Sequence, residues 1–338
     1  MAFLVNKKYV IITIIILTVS TFLFYNSKKR VEIYSESEFL MDTLVTIKVK
    51  DQSGAKEAVA QSFTVMKKWA ERLDRHDENS AITSINKYGS KGVQVASEII
   101  YLFSAAGKYY RLSNGAFDIT IAPLLDLWGF GKQKQAVPSQ EEVNKALARV
   151  GFSKLLINQK NNFVYLKPDM KVDLGGMAKG FIVDKGISSL EDSGIKSAFI
   201  NAGGNIRVLG SKYTGRPWHV GIRKPGQEGE IFTDYIIGME EGSVATSGDY
   251  ERYFTYNGKR YSHLLDPRTG YQARDMQAVT IFAPDAFTAD ILSTAIFIMG
   301  REEGQKLINE LTGVEGFMVW DESDIWLSEG FKDLVINQ

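Results

Sequence analysis

Between Lys7-Lys8 and Lys28-Lys29-Arg30 the chain carries no charge: Tyr9 to Tyr25 reads YVIITIIILTVSTFLFY. Roughly 17 apolar residues is the shortest helix that crosses a bilayer, and it exceeds the usual core of a cleaved signal peptide. No small-x-small cleavage pattern follows it. We therefore expect an uncleaved transmembrane helix over about residues 9–25, within an anchor and short linker of residues 1–34. A signal peptide with an unusual cut site is the alternative. Charge does not set the orientation, because two lysines and the α-amino group face three basic residues on the far side.

At 338 residues the chain is long enough for one large domain or two ordinary ones, and the chemistry of residues 35–338 is bounded by what the sequence lacks. Forty basic and forty acidic residues cancel, so no long-range field draws the molecule to nucleic acid, and any bound anion must be held locally. The absence of cysteine excludes disulfides, thiolate metal sites, a cysteine nucleophile and a lipid on an N-terminal cysteine. The three histidines, His76, His219 and His263, are far apart and form no His-x-x-x-His pair, which argues against zinc.

Periodicity sets the fold class. EFLMDTLVTIKVKD alternates as a half-buried strand. Val59, Phe63, Met66, Ala70 and Leu73 recur at helical spacing, as do Ile99, Leu102, Phe103, Ala106 and Tyr110 before a stop at Asn114-Gly115. Ser139-x-x-Glu142 after Pro138 is a capping box that opens a third helix ending at Gly151. KLLIN and FVYLKP read as a hairpin, and from Lys171 the pattern is strand, glycines, helix and strand. The last hundred residues are mostly strands and turns, interrupted by helices from about Ala286 and Arg301. Too few strand-helix-strand units remain for a doubly wound sheet. The expectation is α+β: a single large domain of mixed helices and mostly antiparallel strands, preceded by the N-terminal transmembrane helix.

Three glycine-rich turns follow apparent strands: DLGGMAKG at Asp173–Gly180, NAGGN at Asn201–Asn205 and ATSGD at Ala245–Asp249. Glycine after a strand lets backbone amides approach a ligand, and the helix after Gly175-Gly176 would aim its N-terminal amides and Lys179 at a phosphate or pyrophosphate. The spacing matches neither the dinucleotide nor the nucleoside-triphosphate loop, and tight turns with close strand–helix packing explain each glycine alone. Asp173 stands at the mouth of the turn, as ligand contact or as cap. In APDAFTADILSTAIFIMG, Asp290 and Thr294 are four apart and share a helix face. Together they offer two hard oxygens suited to Mg²⁺, or else a solvated aspartate and a threonine bonded back to its own helix. His263 ends the strand leading into the Asp266-Pro267 turn of HLLDPRTG. It is either a general base with Asp266 to orient its ring or a half-buried strand-end histidine, and the residues alone leave both open.

MDT, GAFDITIAPLLDLWGFG, VDLGGMAKG, NAGGNIRVLG, ATSGDYERYF, HLLDPRTG and TADILSTA, in this order, resemble the FAD:protein FMN transferases, the ApbE-type flavin transferases. No single piece is diagnostic, but the ordered set is specific. The resemblance implies an enzyme that splits FAD, its substrate, at the pyrophosphate with Mg²⁺. It transfers FMN through a phosphoester bond to a threonine or serine of an acceptor flavoprotein and releases AMP. It places the metal between Asp290, Thr294 and a backbone carbonyl at Gly176. It places FAD contacts at Met41, His76, Ala116, Phe117, Asp118, Asp173 and Lys179, and makes His263 the base that takes the acceptor's proton. Asp42 stands where the family commonly has glycine, and Ile119 where it has proline. His76 stands where it often has an aromatic residue.

By the same resemblance the acceptor is a subunit of a membrane redox complex or an exported flavoprotein. The catalytic domain then faces away from the cytoplasm on a single-pass anchor in the cytoplasmic membrane. Two other functions fit the same residues less fully: a Mg²⁺-dependent FAD pyrophosphatase using water in place of the protein hydroxyl, and a membrane-tethered flavin-binding protein without catalysis. The second needs neither the Asp290–Thr294 pair nor His263.

Overall fold

EFLMDTLVTIKVKD, expected as one strand, is a hairpin. β1 (Ile33–Leu40) and β2 (Thr43–Lys50) pair antiparallel up to Leu40 and Thr43, which leaves a two-residue turn at Met41 and Asp42. Both turn residues have positive φ, 55° and 58°, the conformation a two-residue hairpin turn requires and Asn-Gly usually supplies. Strict alternation holds only from Val45 to Lys50; the apolar run Phe39-Leu40-Met41 followed by Asp42-Thr43 interrupts it, and the turn falls at that break.

The computed structural model describes residues 32–131, 135–212, 215–227, 229–274 and 276–336. The expected membrane helix lies outside the described residues; among those described, no helix is long and apolar enough to cross a membrane.

α1 (Ala55–Leu73) buries Val59, Phe63, Met66 and Leu73 along one face, as their spacing demands. α2 (Ala81–Tyr88) opens on Ser80, whose hydroxyl accepts from Thr83 N–H. The strand β3 (Val93–Gln94) joins β4 (Leu156–Asn158) and β5 (Phe163–Tyr165), the expected KLLIN–FVYLKP hairpin, in a small sheet. α3 (Ser97–Leu112) stops at Asn114 and Gly115, both at positive φ. α4 (Ala122–Trp128) precedes α5 (Gln140–Leu147), which carries the full capping box of Ser139 and Glu142 but ends four residues short of Gly151.

Next come α6 (Ala178–Asp192), β6 (Ala198–Ala202) and β7 (Asn205–Leu209), then the hairpin β8 (Trp218–Arg223) and β9 (Ile231–Met239). β10 (Glu241–Gly248) is followed by a second hairpin, β11 (Tyr253–Tyr256) and β12 (Lys259–Ser262). β13 (Ala278–Ala283), α7 (Ala286–Met299), α8 (Arg301–Glu310), β14 (Glu315–Asp321), β15 (Asp324–Leu327) and α9 (Glu329–Leu334) complete the chain. The main sheet runs β1-β2-β6-β7-β10-β13-β14-β15 with every neighbouring pair antiparallel. The α+β expectation for the domain therefore holds.

The sheet has two buried faces. Val45, Ile47, Ile200, Ala202 and Ile281 pack under the helices α1, α6 and α7, whereas Val208, Val244, Ala278 and Phe317 pack under the hairpin β8–β9 and α9. α6 crosses α7 at Gly180, where a Cβ would lie 2.2 Å from the Ala286 carbonyl oxygen and 2.7 Å from Asp290 Cβ. Backbone must give way for any side chain there. Gly180→Ala is expected to destabilise the fold by about 2–3 kcal/mol, read as a lower urea midpoint with an unchanged slope.

Candidate active site

The helix crossing at Gly180 brings three elements to one end of the sheet: the turn before α6, the middle of α7 and the end of β10. The segment Lys171–Leu174, expected as a strand, joins no ladder. It is held instead by Asn86, whose side chain donates to Val172 O at 2.9 Å and accepts from Val172 N–H at 2.7 Å. Asp173 N–H then donates to Ile119 O at 2.7 Å. These bonds fix where the glycine turn begins.

Asp290 is 4% exposed, and its Oδ2 accepts from Gly180 N–H at 2.8 Å. Burial raises its pKa, against the opposing influence of Lys179, the Gly180 amide and the neighbouring Asn205. The Asn205 Nδ2 is buried and has no well-aligned hydrogen-bond partner among the described residues. One turn on, Thr294 Oγ1 has a single long contact among the described residues, 3.4 Å to Ser247 Oγ. A Cβ on Gly176 would meet Thr294 Oγ1 at 3.5 Å and the Phe117 ring at 3.2 Å. Gly176, Thr294 and Asp290 are thus brought together, with Phe117 packed against the turn. A buried carboxylate, an underused hydroxyl and a close backbone are the donor types that hold a hard divalent cation, so the residues fit Mg²⁺. Lys179, the second residue of α6, brings its charge to bear on Asp290, Glu251 and His263 alike.

His263 belongs to this group by electrostatics, and its ring is set by backbone. Nδ1 lies 3.1 Å from the Arg252 carbonyl oxygen. A carbonyl only accepts, so Nδ1 carries the proton and Nε2 keeps a free lone pair. Burial pushes the pKa down to about 4, opposed by the hydrogen bond to Arg252 O and assisted by the charges of Arg252 and Lys179. A neutral imidazole with an open Nε2 is a base ready at neutral pH. Asp266, expected to orient the ring, is instead taken by its own turn and by a forked contact with Arg268 at 2.9 and 3.1 Å.

The remaining expected residues divide. Met41 packs against the core from the β1–β2 turn, while Asp42 bonds Arg252 at 2.7 Å and so ties that turn to the residue that orients His263. Ala116 and Phe117 are buried beside the glycine turn. Asp118, expected as an FAD contact, is turned inward. Its Oδ1 accepts from Thr120 N–H and Oγ1 at 2.8 and 2.7 Å, and its Oδ2 accepts from Phe152 N–H at 2.9 Å. Its carboxylate caps a short 3-10 turn and clamps a loop.

Asp173 accepts from Gly175 N–H at 2.6 Å through Oδ1, and its Oδ2 lies 2.5 Å from Arg75 Nε as an ion pair not aligned as a hydrogen bond. Arg75 also bonds Asp126 at 2.7 Å, and its side chain is 8% exposed. His76 flanks this cluster across Gly131. Arg75→Met is expected to lower stability by about 2–3 kcal/mol by leaving Asp173 without its cation, while Asp126 keeps Lys171 at 3.4 Å, again checked by urea unfolding.

The family model described as the ApbE family matches residues 41–318. The chain belongs to the ApbE family. Curated ApbE-family relatives include "FAD:protein FMN transferase" of Treponema pallidum, 32% identical over 91% of this chain and 90% of that protein. The "FAD:protein FMN transferase" of Escherichia coli K12 is also 32% identical, over 79% and 78% respectively. Among solved ApbE structures, that from Thermotoga maritima superposes with TM-score 0.85 at 37% identity, covering 90% of this chain and all of its own. The flavin transferase ApbE of Vibrio cholerae gives 0.80 at 29%, over 90% of this chain and 99% of its own.

Four residues that the structure brings to the candidate site were not expected from the sequence: Arg75, Asn205, Glu251 and Arg252. Asn205 lies inside NAGGN, and Glu251 and Arg252 inside SGDYER, where the glycines are the stronger local signal. Arg75 acts across the chain and leaves no local signature.

Proposed function

We propose that this chain is an FAD:protein FMN transferase. With Mg²⁺ it moves FMN from FAD to a serine or threonine hydroxyl of an acceptor flavoprotein, forms a phosphoester bond and releases AMP. The observation that carries this reading is the pairing, around one lysine, of a base with a free Nε2 and a hard-oxygen cluster of Asp290, Thr294 and the Gly176 turn. A binding protein has no use for either half, and a nicotinamide-linked oxidoreductase would need a second cofactor site.

His263 Nε2 takes the proton of the acceptor hydroxyl while that oxygen forms a bond to the FMN phosphorus. The bond from that phosphorus to the bridging oxygen breaks, and AMP leaves with the electron pair. Lys179 and the amides opening α6 offset charge on the pyrophosphate. Asp290, Thr294 and the Gly176 carbonyl would hold the cation, which when bound supplies further charge neutralisation. Phe117 and Met41 shape the wall against which FAD lies, and Arg75 holds Asp173 at the mouth.

The acceptor is a membrane redox-complex subunit or an exported flavoprotein. Residues 9–25 anchor the chain in the cytoplasmic membrane, with the catalytic domain of residues 35–338 outside the cytoplasm. The uncharged run and the family's habit support that placement, and protease protection in intact cells against spheroplasts tests it.

The direct test incubates the full-length protein with FAD, Mg²⁺ and a candidate acceptor and reads the acceptor's intact mass for the gain of one FMN. Chelation of divalent ions is expected to abolish the gain, and added Mg²⁺ to restore it. AMP and free FMN with no acceptor labelled would favour the pyrophosphatase. FAD binding without turnover would favour the tethered binding protein.

A further inference from the structure

α6 and α7 exchange carboxylates where they cross. On α6, Gly180 and Asp184 stand four residues apart and so share a face; on α7, Ala286 and Asp290 do the same. Gly180 N–H donates to Asp290 Oδ2 at 2.8 Å. In return Ala286 and Phe287 N–H donate to Asp184 Oδ1 and Oδ2 at 3.0 and 2.9 Å. All three amides belong to first turns, whose N–H groups have no partner inside their own helix. Each helix thus caps the other with a side chain one turn further in. Arg207 of β7 closes the arrangement. Its Nη1 donates to Pro284 O at 2.6 Å, and its Nε lies 3.3 Å from Asp184 Oδ1 as an ion pair not aligned as a hydrogen bond.

Asp184 and Arg207 have no place in the chemistry set out above, and a carboxylate is an unfavourable way to join two helices here. Burial pushes the Asp184 pKa up to about 6, against the pull of Arg207 and the two amides and with the help of Asp285. α7 is apolar along most of its length, with Phe287, Ile291, Leu292, Ile296 and Phe297 buried. Such packing is non-directional and does not by itself set where the helix stops along its axis. Directional bonds do. We propose that Asp184, held by Arg207, is a positioning residue for the cation: it fixes the register of α7 so that Asp290 and Thr294 meet the Gly176 turn. The proposal rests on the Mg²⁺ reading given above. Mg²⁺ demands a near-ideal octahedral shell, so a small slide or rotation of α7 is felt in metal affinity before it is felt in the fold.

The test compares full-length wild type with Asp184→Asn, Arg207→Lys and Phe331→Leu. Asp184→Asn keeps the volume but turns an amide donor toward one of the two α7 amides. Arg207→Lys keeps the charge but loses the fork that spans Asp184 and Pro284 O. Phe331 is buried in α9 on the sheet face away from α7, so shortening it destabilises the fold at a distance from the cluster. Mn²⁺ is the probe, its binding read by the loss of the free-ion electron paramagnetic resonance signal with neither FAD nor acceptor present. The Mg²⁺ concentration for half-maximal FMN transfer is read beside it. Asp184→Asn is expected to weaken Mn²⁺ binding and raise the Mg²⁺ half-saturation about tenfold, with kcat at saturating Mg²⁺ near that of wild type, and Arg207→Lys to shift both about threefold. Phe331→Leu should lower the melting temperature and leave both metal readings unchanged. Metal affinity equal to wild type in both variants overturns the proposal, as does a loss of kcat that saturating Mg²⁺ does not restore. Should Asp184→Asn fail to fold, the Arg207→Lys shift decides. Wild type that binds no Mn²⁺ and needs no Mg²⁺ overturns the metal reading instead.

Discussion

Asp290→Asn is expected to lower kcat/KM for FMN transfer on the order of 10³-fold without weakening the fold. The substitution keeps volume and keeps an amide oxygen for Gly180 N–H, now held by Asp290 Oδ2 at 2.8 Å. What it removes is the one negative charge of the Asp290–Thr294–Gly176 cluster. Burial already disfavours that charge in the ligand-free protein and raises its pKa, so a neutral isostere relieves a desolvation penalty. The melting temperature should hold or rise. Activity and stability thus move in opposite directions, which separates a metal-holding carboxylate from a merely structural one. Labelling followed by intact mass, beside a thermal melt, reads both. A loss of less than tenfold, or a fall in melting temperature that matches the lost activity, would sink the assignment.

How much of this was legible in the sequence depends on whether an interaction is local. Asp290 and Thr294 announce themselves because four residues is one turn, and the capping box at Ser139 works the same way. The glycine turn before α6 was visible, but its reason was not. Gly180 is required by the Ala286 carbonyl more than a hundred residues away, and Gly176 packs closely on the side chains of Thr294 and Phe117. The β1–β2 turn is marked only by a lapse in alternation at Phe39–Val45, because Met-Asp is not one of the residue pairs that usually take the left-handed conformation seen there.

Asp118 and Asp173 show the limit for carboxylates. Each stands two residues before the group whose backbone amide it caps, Thr120 and Gly175, and nothing in the local pattern separates the inward one from the one at the mouth. For His263 the sequence offered Asp266 as orienting partner, but the structure uses the Arg252 carbonyl. Backbone oxygens carry no residue type, so such partners appear only once the chain is folded.

His263→Gln is expected to lower kcat/KM by about 10²–10⁴-fold, the usual contribution of a general base, with the FAD KM nearly unchanged. The glutamine amide donates to the Arg252 carbonyl as Nδ1–H does now, but offers no basic lone pair. The pH profile distinguishes loss of a base from loss of shape. Burial lowers the imidazole pKa from 6.5 to about 4, so wild-type kcat/KM should stay level from pH 8 down to about pH 5 and fall only toward pH 4.

The same shift has a stability signature whose sign is fixed. Between pH 6.5 and 4 the unfolded chain takes a proton on this histidine while the folded protein does not, so wild type loses stability as pH falls through that window. The glutamine variant lacks that loss, and the gap between the two urea midpoints should narrow or reverse on acidification from pH 7 to pH 4.5. An acid limb at or above pH 6.5 in kcat/KM, or one that persists unchanged in His263→Gln, would assign the proton transfer to another group.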